Sequence, residues 1–450
     1  MKRQIPVLIL ALLLLCACGA GGRQGTYSLT EDIFSLEEER HAPAENSGRT
    51  GSGEEGETME AFRIILGTDL HFISPSLTDR GPLFTRLVTY ADGKATLYID
   101  EITEAFAAEV IRQSPDLLVI SGDLSFNGAV KSHEDMAEKL LKIKEAGIPV
   151  LVIPGNHDIS YGGAASFSGD SYTLVPSPDG EQFRRIYHAL GYDQAESFDP
   201  ASGSYSYRAR EDLLILMLDT NSALRGALPE ASLDWISGVL ETAKKTGTKV
   251  IAVSHQNLYI HNRYFYQGVV IDNADQIVPL YEKGGVLLNL SGHMHMQHMV
   301  DGKKVPDIAT ASLAVYPHHY GLITLYERSL VYETRDLDVS AWARQQGLTD
   351  PNLLDFGNYS RNFFTATMYR QGFARVKDLE GLTESQKSMM ARALVIVSSA
   401  YFAGEPFDIK MLSGAAALWK QNPDAGYGAY IESISEDLAK DHRYLKIPTE

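Results

Sequence analysis

Cysteine is close to absent from this chain. Its 450 residues hold two, Cys16 and Cys18, and both lie among the first twenty positions. Such a pair offers no disulfide framework, so a packed core has to hold the fold. Basic residues are also short, 40 Lys and Arg against 58 Asp and Glu, which leaves a formal net charge of -18. A surface of that sign repels the phosphate backbone of DNA and RNA. No local basic patch offsets it, so nucleic acid is not an expected partner. A long apolar run is missing too. The run IPVLILALLLL near the N terminus follows Lys2 and Arg3 and gives way to small residues and cysteine, the layout of a secretory signal. It falls short of the ~20 apolar residues that a membrane-crossing helix needs. No internal repeat is present.

What is present begins with Leu15-Cys16-Ala17-Cys18, a segment that resembles a bacterial lipobox. The resemblance implies removal of residues 1–17 as a lipoprotein signal peptide and lipidation of Cys18. The mature protein would then be extracytoplasmic and anchored by lipid to the bacterial cell membrane. Residues 18–60 include LEEERHAPAENSGRTGSGEEGETME, rich in Gly, Ser and Glu and too poor in apolar side chains to fold. They are expected to form a disordered acidic tether.

From there to Asp338, apolar runs that end in Asp, Asn or His alternate with amphipathic stretches. FRIILGTD, DLLVISGD, PVLVIPGN, KVIAVSH and GGVLLNLSGH read as buried strands. ITEAFAAEVIRQ, SHEDMAEKLLKIKEAG, EQFRRIYHALG and LPEASLDWISGVLETAKKTG read as helices between them. Period-two alternation in SYSYRAR, then LLILMLD, and later in GLITLYE and LVYETRD adds antiparallel strands. The pattern predicts an α/β domain over 61–338, with two sheets packed face to face and helices outside. Residues 339–450 carry helical periodicity with no competing strand signal. It runs over Asp350–Gln371, over Thr383–Ala403, where Thr383 and Gln386 stand as a capping box, and over Ile409–Gln421. A helical C-terminal domain is expected there.

In each of the five buried runs the polar residue falls at the strand's carboxyl end or just past it, the edge where α/β sheets bind ligands. The set is Asp69 and His71 in GTDLH, Asp123 in SGDLS, Asn156, His157 and Asp158 in PGNHD, His255 in VSH, and His293 with His295 in SGHMH. All are oxygen or imidazole donors and none is a thiolate, a set that suits divalent Mn, Fe or Zn. The stretch NLSGHMHMQH places three histidines within six positions. On a continuing strand His293 and His295 would share a face and His298 would point away.

The order D-x-H, G-D, G-N-H-D, H and G-H-x-H, each at a strand end, resembles the calcineurin-like metallophosphoesterases from about Phe62 to Asp338. That resemblance implies a four-layer α/β/β/α sandwich of two mixed sheets and a pair of divalent ions. Asp69, His71 and His295 would hold one ion, Asn156, His255 and His293 the other, and Asp123 would bridge them. Two cations ~3.5–4 Å apart activate a bridging water and offset charge during in-line attack on phosphorus. His157, beside a ligand but not one itself, is implied as general acid, with Asp158 orienting it and raising its pKa. No Asp-Arg-Gly follows Gly122-Asp123, which separates the chain from the serine/threonine protein phosphatases of this superfamily. Phe126 stands where purple acid phosphatases carry a tyrosinate ligand, so no ferric-phenolate site is expected. The forms GDLSFNG and GNHD, followed by a helical C-terminal domain, are most similar to the class III cyclic-nucleotide phosphodiesterases, and among them to exported proteins of Gram-positive bacteria.

An exported enzyme of this kind would act on a small phosphate ester such as an external nucleotide, a glycerophosphodiester or a wall polymer. A phosphomonoesterase or nucleotidase on the same centre is the alternative. It would call for an added cation, for which Arg80, Arg86, Arg225 and Arg263 are the candidates near the motifs. A lipoprotein that binds a phosphorylated ligand without turnover is the reading of another class. Substrate contacts are expected from Asn127, beside the bridging aspartate or else a turn residue. His261, Tyr264 and Tyr266 after His255, and His318 with His319, are expected to line the mouth. His298 is expected at the surface or behind the ligands. The oligomeric state is not predicted.

Overall fold

The structure, a computed structural model, describes residues 61–435 and 437–449. The signal peptide, Cys18 and the tether lie outside the described residues. In chain order the first elements are β1 (Phe62–Gly67), α1 (Pro82–Thr89), α2 (Ile99–Gln113), β2 (Leu117–Ile120), α3 (Val130–Glu145) and β3 (Val150–Val152). The hairpin β4 (Ala165–Ser168) and β5 (Ser171–Leu174), then α4 (Gly180–Ile186) and β6 (Ser197–Phe198), lead to β7 (Tyr205–Arg210) and β8 (Leu213–Leu218). Next come α5 (Glu230–Thr246), β9 (Lys249–Ser254), α6 (Ala274–Gly284), β10 (Val286–Ser291), β11 (His298–Val300), β12 (Asp307–Ala309), β13 (His319–Leu325) and β14 (Ser329–Asp336). Six helices follow: α7 (Val339–Gln345), α8 (Pro351–Leu354), α9 (Phe356–Val376), α10 (Glu384–Ala403), α11 (Ser413–Gln421) and α12 (Tyr427–Ile434). Strand β15 (Tyr444–Pro448) comes last.

Strands that are apolar on both faces are stable only between two covering layers. Here they form two mixed sheets, ordered β15-β14-β13-β1-β2-β3 and β11-β12-β10-β9-β8-β7-β6. Strands β1, β2 and β3 run parallel in the first sheet, and β8, β9 and β10 run parallel in the second. Alternation sorts the side chains into layers. Ile64, Leu66, Leu117 and Val119 meet Ile215, Met217, Ile251 and Leu290 between the sheets. Ile65, Leu118 and Ile120 point the other way, under α2 and α3, against Ile102, Phe106, Met136 and Leu140. Leu214, Leu216 and Val250 pack likewise under α5 and α6, with Ile236, Leu240 and Ile277. The result is the four-layer α/β/β/α sandwich. The loops that leave β1, β2, β3, β9 and β10 meet at one edge of it.

The C-terminal helices pack around Trp419, Met390, Leu394, Tyr401 and Ile434, and Met294 and Met296 belong to the same cluster. Thr383 and Gln386 form the capping box that starts α10. Helix does not continue to the end, however. Tyr444–Pro448 pairs antiparallel with β14, from Ser329↔Pro448 to Glu333↔Tyr444, and becomes an edge of the first sheet. Its alternation sets Leu445 and Ile447 against the core between the sheets, a five-residue signal that the neighbouring helical pattern masks. No helix among the described residues is long and apolar enough to cross a membrane.

Candidate metal centre

Asp69 and His71 follow β1, Asp123 follows β2, Asn156 to Asp158 follow β3, His255 follows β9, and His293 and His295 follow β10. The ligand atoms of Asp69, His71, Asp123 and His295 all lie within 4.8 Å of one another. Those of Asp123, His255 and His293 do the same, so Asp123 belongs to both groups. Asn156 Oδ1 stands 3.0 Å from His255 Nε2, beside the second group.

Local backbone chemistry makes this convergence possible. Nine described residues other than glycine have positive φ, and five of them are Asp69, His71, Asp123, His293 and His295. Such a conformation costs on the order of 1 kcal/mol or more per residue and persists where the surroundings over-determine it. The glycines of the motifs answer to contact. A Cβ on Gly155 would come within 2.2 Å of Asp123 Oδ1, and one on Gly292 within 2.0 Å of Thr68 Oγ1 and 2.5 Å of Asp69 Oδ2. The expected strand face shared by His293 and His295 is not what orients them. Strand β10 ends at Ser291, and the two histidines turn inward through left-handed backbone while Met294 and Met296 turn out into the helical core.

Hydrogen bonds fix which lone pairs face the centre. Asp69 Oδ2 accepts from Thr68 Oγ1 at 2.7 Å and from the His293 amide at 2.8 Å. Its Oδ1 is buried with no hydrogen-bond partner. His255 donates Nδ1–H to the Ser121 carbonyl at 2.9 Å and His293 donates Nε2–H to that of Gly268 at 3.0 Å. That choice of tautomer leaves His255 Nε2 and His293 Nδ1 facing each other at 3.1 Å. His71 Nε2 and His295 Nε2 stand 2.9 Å apart in the other group.

Burial, helped by the Lys94 charge, pushes His71 down to about 3, and burial with His255 pushes His293 down to about 4. Burial works against both carboxylates, yet the imidazoles around them hold Asp69 and Asp123 well below the usual carboxylate range. For His255 burial is outweighed by the Asp123 carboxylate, 3.4 Å away, and the imidazole rises to about 9. Ionised carboxylates and imidazole nitrogens thus converge around an Asp69 oxygen with no hydrogen-bond partner, His255 giving up its second proton where an ion binds. That donor set fits divalent cations, with no thiolate to favour a soft ion.

His157 donates its amide to Asp123 Oδ1 at 2.8 Å and its Nδ1–H to the Phe126 carbonyl at 3.1 Å. Its ring stacks on Tyr161, 5.2 Å between centroids, and meets His71 edge-on. Asp158 does not have the role expected of it. Its carboxylate accepts from Leu124 N, Ser125 N, Ser125 Oγ and Gly155 N, all at 2.8–3.1 Å, and ties two ligand loops together. The Phe126 carbonyl orients His157 instead, and burial lowers His157 where a rise was expected.

The expected substrate contacts mostly lie elsewhere. Asn127 uses its amide donor on the Ala165 carbonyl at 3.0 Å. His261 is buried between His298 Nδ1 at 2.9 Å and Asp307 Oδ2 at 3.0 Å, so neither it nor His298 is at a surface. His318 is buried, donates Nδ1–H to the Leu313 carbonyl and packs on Phe356, and His319 pairs with Asp336. Tyr264 and Tyr266 stay exposed, on the loop whose Gly268 holds His293. Of the arginines, Arg80 pairs with Glu101 and Arg225 donates to the Ser160 carbonyl, three residues from His157. Lys94, which no motif marks, is the lysine whose charge acts on His71 and His157.

A layered fold around this cage of carboxylates and imidazoles defines a metallophosphoesterase. The calcineurin-like phosphoesterase family model matches residues 62–297, more than half of the chain, and the chain belongs to that family. Residues 338–441 match the C-terminal domain of cyclic nucleotide phosphodiesterase. A 3',5'-cyclic-nucleotide phosphodiesterase of Nostoc sp. is 23% identical over 201 residues, 43% of this chain and 63% of the relative. A Synechococcus sp. protein named "Probable cyclic nucleotide phosphodiesterase" is 33% identical over 105 residues, 21% of this chain and 40% of the relative. The chain therefore spans less than two thirds of either relative's length. A dimetal phosphatase from Danio rerio superposes with a TM-score of 0.45 at 13% identity, covering 61% of this chain and 96% of its own.

Two ligand groups sharing one carboxylate lead to a count. Full-length chain equilibrated with Mn and desalted should carry two ions, and Asp123→Ala less than one, by elemental analysis. A wild-type content of one would contradict the two-group reading. Because a proton on His255 competes with the ion, content should fall as pH drops below about 9.

Proposed function

We propose that this chain hydrolyses a phosphodiester in a metal-dependent reaction of the cyclic-nucleotide phosphodiesterase kind, on a small ester outside the cytoplasmic membrane. One observation carries the diester reading. The segment that matches the C-terminal domain of cyclic nucleotide phosphodiesterase is packed, through Met294 and Met296, onto the loop that holds two of the metal-site histidines.

Bound divalent ions would bring positive charge to the phosphoryl oxygens and activate water for in-line attack. The chain's own residues do the rest. Asp69, His71 and His295 would hold one ion, and Asn156, His255 and His293 the other. Asp123, common to both groups, would serve both ions. His157 has its Nδ1–H committed to the Phe126 carbonyl, so Nε2 is the atom that carries a proton for the leaving alkoxide. Burial lowers its pKa, so the imidazolium is a stronger acid but a smaller share of the free site at neutral pH. Tyr161, stacked on the ring, resists its rotation.

A phosphomonoesterase or nucleotidase on the same centre would call for a full added cation at the second phosphoryl charge, whereas the Lys94 ammonium is already paired with Asp92. The reading also includes a lipid anchor at Cys18. Fatty-acid labelling of the full-length chain in a lipoprotein-processing host should be lost in Cys18→Ala, and labelling that persists would remove the anchor.

Initial rates of the Mn-loaded chain on bis-p-nitrophenyl phosphate and p-nitrophenyl phosphate separate the two ester classes. The diester should be preferred. Preference for the monoester would install the phosphatase reading, and no turnover with Mn, Fe or Zn would favour a protein that only binds phosphate esters. His157→Asn should cost ~10²–10⁴ in rate on a diester with an alkoxide leaving group and far less on a nitrophenyl ester, whose leaving group needs no proton. Equal losses on both would take the acid role from His157.

A further inference from the structure

Lys94 sits where a lysine is costly. Its side chain is 5% exposed, and its ammonium pairs with Asp92 two residues earlier. Burying the lysine of such a pair while Asp92 stays 39% exposed costs desolvation that an apolar side chain of similar volume would avoid, so packing alone gives little reason for it. The loop that carries the pair is joined through Val315 and Ser312 to the segment of Asp69. The charge of Lys94 acts on His71 and His157, and that of Asp92 interacts with His295 and His71. An ammonium has three N–H donors, and among the described residues Asp92 is the hydrogen-bond acceptor it reaches.

The backbone around Lys94 is registered on the ligands. Lys94 bridges to Val315, and the Ala95 amide donates to the Ala314 carbonyl at 2.8 Å. Three residues earlier, Ser312 Oγ donates to the Asp69 carbonyl at 2.7 Å, and the Leu313 amide to that of Thr68. Helix α9 holds the loop from its other side. Arg370 donates to the Thr89 carbonyl at 2.7 Å and covers the Tyr90 ring, and Gln371 donates to the Ala91 carbonyl at 3.1 Å. Val315 packs with Phe364 and Met368 of the same helix.

We propose that Lys94 is the protein's own cation for the phosphoryl group at this centre, oriented by Asp92 and held in place by α9. The proposal rests on the phosphoesterase reading above. The free N–H groups of the ammonium donate charge-assisted hydrogen bonds to non-bridging phosphoryl oxygens. Asp92 offsets part of the positive charge, which matches the single negative charge of a diester better than the double charge of a monoester. Helix α9 thereby gives the C-terminal region a part in substrate binding.

Calorimetric titration of inorganic phosphate into the Mn-loaded full-length chain tests this, with bound metal counted in the same samples. Lys94→Met should weaken phosphate binding by about tenfold or more with metal content unchanged, and Lys94→Arg should keep most of it. Asp92→Asn, which frees the ammonium, should tighten it. Unchanged affinity in Lys94→Met overturns the proposal. So does equal weakening in Asp92→Asn and Lys94→Met, or loss of metal from Lys94→Met, since either reduces the pair to a loop closure. If Lys94→Met does not fold, the double variant Asp92→Asn/Lys94→Met leaves no lone charge and takes the same readout, with weakening expected and wild-type affinity overturning the idea. The ester assays keep the two readings apart. Lys94-dependent phosphate binding in a protein that cleaves no ester would sink the phosphodiesterase reading alone, whereas diester turnover with Lys94-independent binding would sink this one alone.

Discussion

The centre depends on a buried carboxylate, Asp123, 1% exposed. Asp123 has the His157 amide at 2.8 Å and His255 Nε2 at 3.4 Å from one oxygen, and His71 Nε2 at 3.7 Å from the other. A buried carboxylate is expensive unless opposite charge and hydrogen bonds surround it. Here imidazoles from three different loops, those of His255, His157 and His71, supply the surroundings and keep it ionised. The two sheets bring those loops to one edge, the left-handed residues turn their side chains inward, and Gly155 leaves the space that Asp123 fills. Remove the carboxylate and both ligand groups lose their common member.

The helical region is tied to that centre from several sides. In the run His293-Met294-His295-Met296 the histidines face the ligand groups and the methionines enter the core of Trp419 and Leu394. The amide of Gln297 donates to the Phe402 carbonyl, and its side chain to that of His442. Tyr401 receives a hydrogen bond from Asn262 and donates to the His261 carbonyl, which holds the start of the loop that fixes His293 through Gly268. Helix α9 grips the Lys94 loop on another side, and β15 returns to the first sheet. Any movement of the helices would therefore be felt by the ligands, which gives the C-terminal region a mechanical part in setting the site.

Much of this was legible in the sequence because strand burial and motif spacing are local signals. The five apolar runs ending in Asp, Asn or His became β1, β2, β3, β9 and β10, and the residues at their ends are the ones that converge. What was not legible depends on tertiary contact. His261, His298 and His318 look like loop histidines in the sequence, yet each is buried by residues distant in the chain, such as Asp307, His442 and Phe356. Asp158 follows a metal-site motif, but its four donors come from backbone and serine groups that no spacing announces. Lys94 lies in an ordinary polar loop, and only the pairing with Val315 and the grip of α9 bring it to the centre. Short elements such as β6, β11 and β15 carry too few residues for periodicity to show.

Crystallography of the Mn-loaded chain, with anomalous data at the manganese edge, tests the central claim most directly. Two peaks on either side of Asp123, ~3.5–4 Å apart, are the predicted result. One peak, or a pair that does not share Asp123, would contradict the account.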